Sequence, residues 1–243
     1  MMESRRMTPA QRHRARVLAE QTAASAAPGG ALHGSAYDLM LVKLAEDRRR
    51  LKSIQSIERK IEVKRGLLPE YQEWIDGALK AGRGAQDDVL MTVLVWHIDV
   101  GDYERALQIA DYALAHRMAL PDQYNRDLPT MLLDEFAGGY LNGPLADNPQ
   151  QACVVLSRVG QMTQGADTPD QARAKLHKAL AYALIAIVNL GCQDGDDGIA
   201  PSLLEYAEAA NRNLHRALEL HEAAGVKKDI ERLERRLKKA VTG

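Results

Sequence analysis

Apolar residues in this chain recur every three or four positions, in blocks separated by clusters of Gly, Pro, Asp and Asn. Nowhere do they keep the two-residue alternation of a half-buried strand. Only an all-α fold buries such a pattern efficiently. Composition agrees, since aromatic residues make up 5% of the 243 positions and β-branched residues rarely occur in runs. Helices are predicted near 69–81, 86–100, 102–117, 129–141, 150–160, 168–190, 201–223 and 226–241. The loops at 118–128, 142–149 and 191–200 carry the turn residues. Asp87 or Gln86 is placed to cap the second of these helices, and Asp102 the third. The segment GDYERALQIADYALAH (101–116) has the rhythm of a helical-pair repeat, echoed weakly at 213–225. No 34-residue period accompanies it, so the expectation is a bundle of helical pairs and not a tetratricopeptide array.

The amino-terminal quarter is different. Thr8-Pro9 supplies a capping hydroxyl and a first-turn proline for a polar, basic helix, after which AAPGGALHGS (26–35) has the composition of a flexible joint. From Ala36 to Arg65 no Gly or Pro intervenes, and Tyr37, Met40/Leu41, Leu44, Leu51, Ile54, Ile57/Glu58 and Ile61 fall near heptad spacing, with Asp47/Arg48 on one core position. One helix of about eight turns is expected, seeking a partner as a coiled coil or helical hairpin. At the other end Val226, Ile230, Leu233, Leu237 and Val241 form a stripe at 4-3-4-4 spacing. The expected layout is a basic, partly flexible arm (1–35), a long basic helix (36–66), a helical core with oligomerisation surfaces (67–225) and a basic amphipathic helix (226–243). Leu44, Leu51, Ile54, Ile61, Ile230, Leu233 and Leu237 are the candidate subunit contacts, and a closed homo-oligomeric ring would satisfy every copy equally.

The net charge of −1 hides a strong segregation. Residues 1–65 carry fourteen basic against seven acidic side chains, residues 226–243 seven against three, and the stretch between them eleven against twenty-three. Basic ends around an acidic middle point to a polyanion partner at the ends. Arg12, Arg14 and Arg16, and the run Arg48, Arg49, Arg50 and Lys52, are candidates for neutralising duplex backbone phosphates. No aromatic residue interleaves them to stack on single-stranded bases. The ten-residue break at 26–35 is too long for a helix-turn-helix. Solvated helix faces, or an acidic surface on a neighbouring subunit, would account for the same charges.

Familiar catalytic chemistry finds little support. Cys153 and Cys192 form no CxxC, which excludes a disulfide framework and a structural zinc site by count. GRGAQDD lacks the lysine and hydroxyl of a phosphate-binding loop. Seven histidines are scattered without an i, i+4 pair. Asp87, Asp88, Asp99, Asp102, Asp134 and Glu135 are the densest carboxylates, but three stand at expected helix starts and two point apart on one helix, so no catalytic or metal-binding residue is assigned. Trp74 and Trp96 sit at apolar helical positions and read as core. The start of the chain lacks the apolar core of a secretory signal, and the longest apolar run, 179–190, is too short to span a bilayer. A soluble, intracellular protein without a membrane partner is expected.

Particular strings then become informative. MTPAQRHRARV (7–17), YDLMLVKLAEDRRRLKSI (37–54), ERKIEVKRGLLPEYQEWIDGAL (58–79), GRGAQDDVLMTVLVWHIDVGDYERALQIADYAL (82–114), ARAKLHKAL (172–180) and AAGVKKDIERLERRLK (223–238) resemble the small terminase subunit of temperate, cos-packaging tailed phages. The resemblance begins at Met7. It implies a subunit that binds the packaging-initiation (cos) site of concatemeric viral DNA in the host cytoplasm, forms homo-oligomers that are often rings, and recruits and regulates a large subunit holding the ATPase. The family is often described as the endonuclease subunit directing cos cleavage, whereas in terminases generally the nuclease resides in the large subunit. The alternative implied is a metal-dependent endonuclease using Mg²⁺; otherwise no cofactor is expected. Some relatives carry a longer Lys/Arg-rich tail, and this sequence stops at Gly243, so the expected DNA contact either falls more heavily on the amino-terminal segment or is weaker.

Overall fold

A threonine hydroxyl ahead of a proline starts the first helix as its chemistry demands: Thr8 accepts from the Gln11 N–H, and the Gln11 side chain accepts from the Thr8 N–H at 2.8 Å, closing a capping box. The computed structural model describes residues 8–122, 124–191 and 198–242, with side chains through residue 240; Met7, Cys192 and the Val241 side chain lie outside the described residues. Among the described residues there is no strand, only one isolated bridge between Ala31 and Gln86. The chain forms two units, residues 1–128 and 129–243, so the boundary falls inside the expected 67–225 core.

The first unit holds α1 (Pro9–Ser25), α2 (Ser35–Lys52), α3 (Ile57–Leu67), α4 (Gln72–Ala81), α5 (Asp88–Asp99) and α6 (Tyr103–Ala115). Helix α1 lies on α4 where Gly77 faces Ala19, so close that a Cβ on Gly77 would come within 2.5 Å of the Ala19 methyl. An ion pair flanks the crossing on each side, Arg16–Glu73 at 2.7 Å and Lys80–Glu20 at 2.9 Å. The segment expected to be a flexible joint is pinned: Gly29 N–H donates to the Gly84 carbonyl at 2.8 Å, and Gln86 N–H to the Gly30 carbonyl at 2.9 Å. Backbone pairing, which composition does not report, fixes it.

The expected single helix over 36–65 divides in two. Ser53 Oγ donates back to the Arg50 carbonyl at 2.7 Å, and the Ser56 hydroxyl caps the Arg59 N–H, so the serines offer the backbone a stop and a restart. The residue that spoiled the heptad ties α2 to the turn at 68–71 that follows α3. Asp47, 9% exposed, accepts from the Tyr71 hydroxyl at 2.6 Å and pairs with Lys43 at 2.8 Å, while Lys43 also reaches Glu70 at 2.9 Å.

Helix α5 is buried almost all round, and its start organises the unit. The Asp87 carboxylate accepts from the Leu90 N–H at 3.0 Å and from the Trp74 indole N–H at 2.8 Å. Trp74 stacks on Tyr37, whose hydroxyl receives the Asp88 N–H at 3.1 Å. One buried side chain thereby joins α5 and α4, and through Trp74 and Tyr37 it also fixes α2.

The second unit holds α7 (Leu128–Leu141), α8 (Pro149–Met162), α9 (Asp170–Leu190), α10 (Leu204–Leu220) and α11 (Lys227–Thr242). Alanines dominate the facing sides of α9 and α10, which allows close approach, and Gly225, at φ +74°, turns the chain so that α11 folds back. Val226, Ile230 and Leu233 then enter the core formed by Leu184, Val188 and Leu214, with Leu237 at its edge. Ile230 and Leu233, and Leu44 and Leu51 in the first unit, were expected at subunit contacts; they are at most 7% exposed, so their burial is met within one chain, while Ile54, Ile61 and Leu237 are half-buried.

Gly77→Ala is expected to cost about 1–3 kcal/mol by overpacking the α1–α4 crossing, measured by urea unfolding together with faster proteolysis within α1. Burial pushes the Asp87 carboxyl up to about 6, against the pull of the Leu90, Trp74 and Val89 N–H groups. Because the folded value exceeds the unfolded one, this contribution to stability is full below about pH 4 and is lost as pH rises through about 6, a loss of about 3 kcal/mol. Asp87→Asn removes one acceptor and lowers stability, but its unfolding free energy should no longer carry that slope; an unchanged slope would contradict the assignment.

Candidate nucleic-acid interface

Folding gives most cations of this protein a partner. Lys64 binds Asp99, Arg105 binds Asp76, Lys175 lies 3.6 Å from Asp134, Arg173 donates to the Thr163 and Ala166 carbonyls, and Lys178 to the Ala224 carbonyl. The Arg/Lys run at the end of α2 behaves differently. Arg48, Arg49, Arg50 and Lys52 are exposed, and no hydrogen bond or ion pair holds them among the described residues. Across the break, Arg59 and Lys60 are likewise unpaired. Six cations within thirteen positions repel one another and contribute no compensating contact to the fold.

The corner is concave, and two of these cations, Arg50 and Arg59, line it. Arg50, Ser53, Ile54, Gln55, Ser56, Arg59 and Val63 line a shallow, open cleft of about 550 Å³ whose walls are mainly polar. Helix dipoles explain only half of the arrangement. Arg49, Arg50 and Lys52 stand in the last turn of α2, where a cation is favoured, but Arg59 stands in the first turn of α3, where it is not. Guanidinium groups on both sides of a wet cleft suit phosphate oxygens.

Of the other residues expected to meet DNA, Arg12 and Arg14 are exposed and without a partner among the described residues, on α1 and outside the cleft lining, whereas Arg16 is engaged with Glu73. Arg59 was missed. Its signal was present, a cation three positions after Ser56, but a continuous helix places it about 13 Å along a rod from Arg50, not across a cleft from it.

The carboxylates are occupied structurally. Asp87 is buried on Trp74 and Leu90, Asp88 receives Gln86 at 3.2 Å, Asp99 and Asp134 pair with lysines, and Asp102 caps α6 while receiving His97 Nδ1 at 2.9 Å. Among the described residues no group of three or more His, Cys, Asp or Glu is placed to hold a metal ion. Burial lowers the pKa of His97, and it pushes the half-buried Cys153 thiol up to about 11, which disfavours the reactive thiolate. Trp74 and Trp96 are core residues, as their positions suggested.

The profile of the phage small terminase subunit family matches residues 41–171, a span that includes the whole corner. The chain belongs to that family. It is 44% identical over 232 residues, 95% of this chain and 86% of the relative, to the "Terminase, endonuclease subunit" of Escherichia phage P2. It is 26% identical over 106 residues, 43% of this chain and 38% of the relative, to the "Probable terminase, endonuclease subunit" of Haemophilus phage HP1. No solved structure matches it. The small terminase subunit family serves phage DNA packaging, and among the described residues no helix of this member is long and apolar enough to cross a membrane.

If the corner cations serve a ligand and not the fold, Arg49, Arg50 and Arg59 changed together to Ala should leave the unfolding free energy within about 0.5 kcal/mol of the parent. Arg105→Ala, which strips a half-buried Asp76 of its partner, should cost about 1–3 kcal/mol. Urea titrations of both variants check the contrast.

Proposed function

We propose that this chain is the DNA-recognition subunit of a viral packaging terminase, binding duplex DNA at the packaging-initiation (cos) site through phosphate contacts at the α2–α3 corner. The observation that carries the reading is the run of six cations at the α2–α3 corner without a partner among the described residues, two of which, Arg50 and Arg59, line a polar cleft, inside the segment matched to the terminase family. Lys64, Arg105 and Lys175, which belong to the architecture, have carboxylate partners, and the corner cations have none among the described residues. The duplex is favoured over single strands because no aromatic ring lines the cleft. Acting in the host cytoplasm as a homo-oligomer, a ring in the form we favour, such a subunit would recruit and regulate the large ATPase and nuclease subunit and direct cos cleavage. Leu39 and Val42, 70% and 58% exposed on the same stripe of α2 as Arg49 and Arg50, are the apolar residues we assign to a protein partner at that site.

Duplex affinity should fall steeply with salt. Arg48, Arg49 and Arg50 changed together to Ala should reduce the slope of log K against log salt by about 2.7, one phosphate contact per arginine. Fluorescence anisotropy with a labelled duplex between about 50 and 200 mM salt measures it, and an unchanged slope would remove the corner from the interface.

A second reading, a metal-dependent endonuclease, is favoured by the name of the P2 relative, an endonuclease subunit. Incubating the purified chain with cos DNA and Mg²⁺ or Mn²⁺, without a large subunit, separates the two. Directed cleavage predicts no nicking above a chelated control, and intrinsic cleavage predicts metal-dependent nicking.

A further inference from the structure

We propose that the second unit carries its own duplex-DNA contact, the solvent face of α11, built from Lys228, Arg232 and Arg235. This rests on the DNA-binding reading of the corner and extends it to a unit that the reading does not include. The amphipathic geometry of α11 fixes the placement. Ile230 and Leu233 point into the core against α9 and α10, and the helical period puts residues 228, 232 and 235 within about 60° of one another on the opposite side. All three are exposed, and none has a hydrogen-bond or ion-pair partner among the described residues. Nearby acids are largely committed: Asp229 accepts from the Tyr182 hydroxyl at 2.8 Å, Glu234 meets His215 at 3.1 Å, and Glu222 meets Lys227 at 3.2 Å. Glu231, exposed and unpaired, borders the stripe.

The chemistry of the face selects the class of partner. A protein interface needs an apolar centre, whereas a nucleic-acid interface is polar and strongly positive. Among the described residues the exposed large hydrophobic side chains are Leu18, Leu39, Val42, Ile57, Val154, Leu190 and Tyr206, none of them on α11. Cations spaced along a helix by about 6 and 4.5 Å can follow a row of backbone phosphates. The α2 stripe, with Leu39 and Val42, has the mixed character of a surface that also meets protein; the α11 stripe has only charge.

The test uses the full chain and a labelled cos-containing duplex. Lys228, Arg232 and Arg235 changed together to Gln should lower the slope of log K against log salt by about 2.7, with thermal unfolding unchanged because the three side chains leave the core intact. Glu231→Gln should bind about twofold tighter, a gain that a folding defect would not produce. A slope unchanged in the triple variant, while the Arg48/Arg49/Arg50 variant loses its own, would overturn the α11 contact and leave the corner standing. The same unchanged slope accompanied by loss of large-subunit capture would also overturn it, assigning the stripe to an acidic protein surface. Absence of salt-dependent duplex binding by the parent chain would overturn both readings at once.

Discussion

A single buried carboxylate holds the frame on which the amino-terminal surface is displayed. Asp87 caps α5 and takes the indole N–H of Trp74 from α4, and Trp74 in turn stacks on Tyr37 of α2. Leaving an acid without water is costly unless its oxygens are occupied, and here neighbouring N–H groups occupy both. The direction of α2, and with it the position of the Arg/Lys run at its end, is thus set by hydrogen bonds some forty residues away in sequence. Asp47 repeats the device further along α2, tying it to Tyr71 at the start of α4 while pairing with Lys43.

A consistent division of labour among charges follows. Cations such as Lys64, Arg105 and Lys175 are paired and belong to the architecture. Those at the α2–α3 corner and on the outer face of α11 are left unmatched among the described residues, so their charge is carried into solvent and is available to a polyanion. The acidic middle of the sequence does not cancel them, because its carboxylates are largely used as caps and pair partners. A protein with a net charge of −1 can therefore present strongly positive surfaces.

Much of this was legible in the sequence, for identifiable reasons. Helical period, Thr8-Pro9, and the caps at Asp87 and Asp102 are local signals, and each produced the expected start. Non-local pairing was invisible. The glycine-rich 26–35 segment looks mobile until the 84–86 loop appears beside it, and Ala36–Arg65 looks continuous because Ser53 and Ser56 are ordinary helix residues until both bond the backbone. Heptad-like stripes at 44–61 and 226–241 announce burial, but a stripe does not say whether its partner is the same chain or another; for most of their residues the structure supplies one chain's own core. Arg59 was hidden by the missed corner, while the Arg48–Lys52 run stood out by charge alone.

The central claim is that the unpaired guanidinium groups, and not the paired ones, are what duplex DNA covers. Arginine-selective modification of the full chain, with and without a cos-containing duplex and mapped peptide by peptide, tests it most directly. The account predicts that DNA protects Arg48, Arg49, Arg50 and Arg59 while the reactivity of Arg105 and Arg173, already bound within the fold, stays unchanged. Saturating DNA that left the corner arginines fully reactive would contradict it.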